Sequence, residues 1–373
     1  MKILNHDITM STLDESPGVH LFSGRALGLS QPGDHIYLHP DLSEDWAAIR
    51  AHYDRVGLSY SDSITWSIDF QELGSYSSEK ISVYFFGSAL ASQPQCQEMF
   101  YSLDSDWCDV VQYINSKNNF MELAQQLGVE VPHTRCFKNR SEVGDLNDFD
   151  FPCYTKLAVA DHGVGIWRCK NPEELLEAIH QIPEDRAFQV QSEVRAIAFL
   201  NLQYQVTDEG LQRSIVSEQI LNGCVHGGNR YPSVHQPWDT VEPIAQWMAE
   251  RGMKGTFAFD VAVVETPNSL RYCAIECNPR FNGSSYPTEV AQQLGIDSWC
   301  SATVEVGCSH LTDLNLDGLE FDPTSKTGVV LINWGTIQVG KLSVLLAGSV
   351  KEQERLSSEI QKQWAKQPAV VSS

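Results

Sequence analysis

Four side chains within residues 255–287 have the types and spacing for metal-assisted phosphate chemistry: Asp260, Glu276, Asn278 and Arg280. Two runs rich in β-branched and aromatic residues, 257–264 and 271–277, flank Thr266-Pro267-Asn268-Ser269 and read as a hairpin. Side chains alternate along a strand, so Asp260 points with Ala258 and Ala262, and Glu276 points with Asn278. Cys273, Ile275 and Cys277 take the opposite face. Placing Glu265 opposite Arg271 makes a favourable cross-strand charge pair and sets Asp260 directly opposite Glu276. The two carboxylates then lie roughly 5 Å apart. Like charges so placed destabilise a sheet unless something neutralises them. An all-oxygen set of Asp, Glu and Asn suits Mg²⁺, which keeps waters and nucleotide phosphates as its other ligands. Arg280, two residues on, is placed to meet a phosphate or a developing oxyanion. The bland alternative is an amphipathic hairpin with a polar, solvated face.

Glu276-Cys277-Asn278-Pro279-Arg280-Phe281-Asn282-Gly283-Ser284, with Gly-x-x-x-x-Asp upstream from Gly255 to Asp260, resembles the metal-binding signature of the ATP-grasp superfamily. That superfamily includes biotin carboxylase, D-alanine–D-alanine ligase and many carboxylate–amine ligases. The resemblance runs over residues 115–310. It implies ATP held between two lobes, phosphorylation of a carboxylate, and attack of an amine on the acyl phosphate. Asp260, Glu276 and Asn278 would hold the metal, with two Mg²⁺ ions expected and Mn²⁺ able to replace them. Arg280 would stabilise the acyl phosphate and then the tetrahedral intermediate.

Other elements must bring the nucleotide to this hairpin. Residues 116–128 read as an amphipathic helix with Phe120, Leu123, Ala124 and Leu127 on one face and Gly128 as its stop. Lys117, just before it, is similar to the basic residue that approaches the phosphates in ATP-grasp proteins; the alternative is a surface lysine. Residues 151–157 read as a strand with Lys156 leaning inward, followed by a turn over 161–166 and a second short strand. Asn171-Pro172-Glu173-Glu174 then opens a helix with an Asn cap, proline at the first position and acids in the first turn. By the resemblance, Lys156 binds the α- and β-phosphates. The loop with His162, Gly163 and Gly165 closes its backbone N–H groups over the triphosphate. Residues 188–194 fall where the family has its interlobe hinge, making Gln191 and Val194 candidates for the adenine edge. The usual ribose-binding acid is missing from 195–199, and Glu193 is its candidate substitute. Residues 222–232 read as a glycine-rich excursion. His226 and Arg230 there are candidates for a substrate carboxylate or phosphate, with a solvated loop as the alternative.

The N-terminal third carries no motif, although 35–39 and 81–87 read as buried strands around a helix over 42–56, opened by Ser43-Glu44-Asp45 and closed by Gly57. The expected architecture is α/β with α+β lobes: an N-terminal substrate domain over 1–115, the nucleotide lobe over 116–190, the metal lobe over 191–310 and a C-terminal extension over 311–373. The segments 327–334 and 340–348 in that extension resemble the end of pheganomycin-type peptide ligases.

A net charge of −22, from 26 basic against 48 acidic residues, opposes nucleic acid or an anionic membrane as partner. No stretch is apolar over a bilayer's thickness, and the start lacks a signal-like apolar run. The 10 cysteines form no Cys-x-x-Cys pair, which points to reduced, buried thiols in a cytoplasmic protein. The expected activity is an ATP-dependent ligase joining a small carboxylate to an amine, an amino acid or short peptide, with a homodimer left open. The alternatives are a thiol or hydroxyl acceptor, or an ATP-binding regulatory protein without turnover.

Overall fold

The computed structural model describes residues 1–9, 17–87, 94–160, 165–223 and 225–364. Its N-terminal sheet is parallel, ordered β3-β2-β1-β4 from β1 (Ile3–Asn5), β2 (His35–Tyr37), β3 (Ile64–Thr65) and β4 (Ile81–Val83). Ile3, Leu4, Ile36, Leu38 and Ile81 are buried, as parallel strands covered on both faces require. A 3₁₀ segment at Val19–Leu29 packs on it, and helices α1 (Trp46–Val56), α2 (Pro94–Leu103) and α3 (Ser105–Ile114) belong to the same part of the chain. The expected helix over 42–56 begins instead as a 3₁₀ turn, Pro40–Asp45. Asp45 does not cap α1 with its side chain; its Oδ1 accepts from the backbone N of Leu311 at 2.7 Å.

A second sheet is antiparallel, ordered β5-β8-β6-β7 from β5 (Thr134–Phe137), β6 (Cys153–Leu157), β7 (Ile166–Cys169) and β8 (Phe188–Ser192). Helix α4 (Lys117–Gln126) leads into it, capped by the Ser116 side chain, so Lys117 is the first residue of the helix rather than a residue ahead of it. Helix α5 (Pro172–Gln181) covers it, and the Asn171 side chain accepts from Glu174 N at 2.9 Å, as expected of that cap.

The third sheet is antiparallel and ordered β13-β12-β9-β10-β11-β14-β16-β15. Its strands are β9 (Ala196–Thr207), β10 (Gly210–Asn222), β11 (Val225–Tyr231), β12 (Gly255–Glu265), β13 (Leu270–Asn278), β14 (Trp299–Glu305), β15 (Gly328–Asn333) and β16 (Lys341–Ala347). Phe257, Phe259, Val261 and Val263 alternate into the core, where α6 (Trp238–Glu250) supplies Val241, Ile244, Ala245 and Met248. α7 (Ser285–Leu294) follows the hairpin and α8 (Val350–Trp364) packs on β14 and β16.

Two sequence expectations need correction. Residues 225–231 are not an excursion but β11, an interior strand between β10 and β14. Glycine is required there by contact: at Gly228 (φ 153°) a Cβ would lie 1.9 Å from the Ser301 carbonyl oxygen. The hairpin register also has a different origin. Glu265 pairs with Leu270 and Val264 with Arg271, while Arg271 Nε donates to Glu130 at 2.7 Å. A bulge between Asp260 and Val261 then shifts the ladder by one residue and sets Asp260 opposite Glu276 after all. The expected charge pair is absent; the expected carboxylate pair is present.

Candidate active site

Below the bulge, the face of β12 and β13 opposite α6 opens into a cleft of about 450 Å³. Asp260, Glu276, Asn278 and Arg280 all line it. Asp260 Oδ1 accepts from Asn201 Nδ2 at 3.0 Å and from Gln219 Nε2 at 2.6 Å, and its Oδ2 accepts from Asn278 Nδ2 at 3.2 Å. Glu276 Oε2 meets Lys117 Nζ at 2.9 Å, with side chains 27% and 11% exposed. Burial pushes the Asp260 carboxyl up, and the Glu276 charge pushes it the same way. Burial also acts to raise Glu276, but Lys117, then Lys156 and Arg280, outweigh it and hold Glu276 down as a carboxylate.

These donors fit a hard divalent cation. The set is all oxygen, its two carboxylates stand opposite each other, and the buried Asn201 Oδ1 on the same wall has no hydrogen-bond partner. Asn278 uses its Nδ2 on Asp260, which leaves its oxygen for coordination. Nothing in the sequence signature announces Asn201 and Gln219, because they lie on separate strands. The polar residues Asn201 and Gln203 alternating within the apolar run of β9 are the available signal.

Arg280 is held by the N-terminal part of the chain: Nε donates to the Tyr84 hydroxyl at 3.1 Å and Nη1 to Asn115 Oδ1 at 3.5 Å. Lys117 is pinned by its helix start, where its backbone N donates to the Ala158 carbonyl at 2.7 Å and Nζ to the Ala160 carbonyl at 3.4 Å. Lys156, on β6, is buried and its Nζ donates to Gln191 Oε1 at 2.7 Å. Gln191 sits on β8, paired with Thr134 on one edge and Tyr154 on the other, and its Nε2 donates to Thr134 Oγ1 at 3.0 Å. Its side chain thus orients Lys156. Glu193 is gripped by Arg168 through Nε at 2.6 Å and Nη2 at 2.8 Å, and by the Tyr154 hydroxyl at 3.0 Å. The Val194 carbonyl accepts from Ala196 N at 3.0 Å. Gly165 turns with φ 73°, and a Cβ there would meet Leu157 Cδ1 at 2.6 Å. His162 and Gly163 lie outside the described residues.

His226 also lines the cleft, against Gly283, and its Nε2 shares a 2.6 Å hydrogen bond with Asn229 Oδ1. Asn229 Nδ2 in turn donates to Ser217 Oγ at 3.0 Å, so the amide orientation makes Nε2 the protonated ring nitrogen. Arg230, one residue further along β11, does not line the cleft and lies beside the Cys300 thiol.

No family model matches the sequence. Solved structures do match its fold. An N5-carboxyaminoimidazole ribonucleotide synthetase in its ADP complex aligns with TM-score 0.63 at 12% identity, covering 96% of this chain and 95% of that one. The synthetase from Thermus thermophilus aligns with TM-score 0.59 at 13% identity over 98% and 99% of the two chains. The Staphylococcus aureus synthetase complexed with ADP gives TM-score 0.58 at 13% identity over 96% and 95%. Over nearly its whole described length, this chain has the ATP-grasp fold.

Proposed function

We propose that the protein is an ATP-dependent ligase that joins a carboxylate to an amine through an acyl phosphate, releasing ADP and phosphate. The observation that carries this reading is the Asp260–Glu276–Asn278 oxygen set, ringed by Lys117, Lys156 and Arg280. Bound by those three oxygen ligands, Mg²⁺ would neutralise phosphate charge during transfer. Lys117 and Lys156 approach the phosphates from the nucleotide side. Residues 193–194 lie on the side given to the base and ribose. Arg280, aimed by Tyr84 and Asn115, steadies the developing charge on the acyl group. Positioning and charge neutralisation supply the catalysis, and no protein nucleophile is required. In this division of labour residues 1–115 shape the substrate end, 116–190 and 191–310 hold nucleotide and metal, and 311–373 complete the substrate wall.

The acyl donor is an amino acid or short peptide, in keeping with the peptide-ligase likeness of the C-terminal segment. The names of the fold neighbours contain a carboxyamino group, so a one-carbon carboxylate donor is tested as well. ADP release from Mg·ATP would be measured against pools of amino acids, dipeptides and bicarbonate with free amines, with Glu276→Ala as control. Turnover lost in the variant by a factor on the order of 10²–10³ is expected. Absence of Mg·ATP binding would refute the reading.

A further inference from the structure

The 3₁₀ segment Val19–Leu29 sends Arg25 into the cleft wall, where the residue is only 9% exposed. Its guanidinium lies over three rings, 4.1 Å from the centroid of Tyr286, 4.8 Å from Phe22 and 5.2 Å from Tyr84. Nε donates to the Phe22 carbonyl at 3.2 Å, but Nη2 is buried without a hydrogen-bond partner. Among the described residues no carboxylate pairs with it. Its charge therefore has no opposite partner among those residues. Aromatic faces compensate for part of the lost water, yet leave the in-plane N–H groups of Nη2 unused.

Besides Asn201 Oδ1 at the metal-ready wall, two more polar atoms of the same cleft are unmatched. Asn282 Nδ2 is a buried donor without a partner, and Asn333 Oδ1, on β15, is a buried acceptor without one. Arg280 faces the Tyr84 ring as well, 5.8 Å from its centroid, which puts this end of the cleft beside the reacting centre.

We propose that Arg25, Asn282 and Asn333 form the substrate subsite. It takes a small molecule with an oxyanion, carboxylate or phosphate, gripped by Arg25 and Asn282, and an amine or hydroxyl that donates to Asn333. That this ligand is a substrate rests on the ligase reading; that an oxyanion binds at Arg25 does not.

The test is calorimetric titration of the full chain with inorganic phosphate, malonate and glycine, each with and without Mg²⁺ and a non-hydrolysable ATP analogue. Wild type is compared with Arg25→Gln and Asn282→Asp. Asp at 282 keeps the oxygen that accepts from Ser284 N at 2.8 Å and replaces only the unmatched donor with a negative charge. At least one probe should bind wild type, at least tenfold more weakly to Arg25→Gln, and not measurably to Asn282→Asp. Binding of the nucleotide analogue should stay within twofold in all three. Preference for malonate or glycine identifies a carboxylate, and preference for phosphate a phosphate ester. Failure of every probe on wild type, or equal binding by wild type and both variants, overturns the subsite. Failure of the nucleotide analogue alone overturns the ligase reading and leaves the subsite standing.

Discussion

Lys117 and Glu276 show how one side chain can hold a metal-ready site together. The ammonium group sits 2.9 Å from a carboxylate that faces Asp260 across the ladder, and of the three nearby cations it lowers that carboxyl most. Lys117→Ala should therefore cost about 3 kcal/mol of stability in EDTA, the low end for breaking a buried ion pair. Mg²⁺ should restore more of that loss in the variant than it adds to wild type, as thermal unfolding with and without the metal would show. An equal Mg²⁺ response in both proteins would refute the pairing role. The residue scale was the most legible in the sequence where the chemistry is contiguous: Asp260, Glu276, Asn278 and Arg280 stand together in the cleft as expected. Asn201, Gln219 and Arg25 leave no such mark in the sequence because their roles arise from packing. Arg25 matters through Tyr84 and Tyr286, which are distant in sequence and close only in the fold. Glu193 looks available for a ribose in the sequence, and only the fold reveals Arg168 already bound to it.

Among the elements, β11 is the joint where two halves of the large sheet meet. The backbone of β14 approaches Gly228 so closely that any side chain displaces it. Gly228→Ala should destabilise the protein by about 3 kcal/mol, through overpacking and a strained φ together. The expected readout is a lower denaturant midpoint at unchanged m. An unshifted midpoint would mean that β14 can move away freely. This joint explains why the strand reads as a loop in the sequence. Glycines weaken strand propensity, so Gly223, Gly227 and Gly228 look like a loop until the neighbouring backbone is known. The helix start at Asn171 was legible because capping is local chemistry, whereas Lys117 reads as lying ahead of a helix that Ser116 in fact caps. The hairpin shows the limit of such reasoning, since a bulge yielded the expected carboxylate pairing while the charge pair that motivated it never formed.

At the scale of the molecule, residues 311–338 clasp the N-terminal sheet. The Leu311 backbone N donates to Asp45, the Tyr53 hydroxyl to the Leu331 carbonyl at 3.1 Å, and Trp334 Nε1 to the Gly24 carbonyl at 2.9 Å. At the centre, His52 Nδ1 bonds Glu320 at 2.6 Å while its Nε2 accepts from Leu331 N at 3.1 Å, so the ring is neutral with its proton on Nδ1. Burial pushes the His52 pKa down. Burial acts to raise Glu320, but His52 and Arg55 outweigh it and hold that carboxyl at about 2. Both folded values lie below the unfolded ones, so the stabilisation is complete above the ordinary histidine pKa. It declines as pH falls, first for His52 and then for Glu320 between about 4.5 and about 2. Glu320→Gln should lower stability at neutral pH and flatten its decline below pH 5, as denaturation midpoints across that range would report. A slope matching wild type would contradict this. The clasp also has a consequence for the order of synthesis. Trp334 lies 310 residues from its partner Gly24, and Leu331 lies 279 from His52. The N-terminal sheet leaves the ribosome long before the strands that cover it exist. Contacts of such separation form slowly, and its apolar face stays uncovered until the last third of the chain is made.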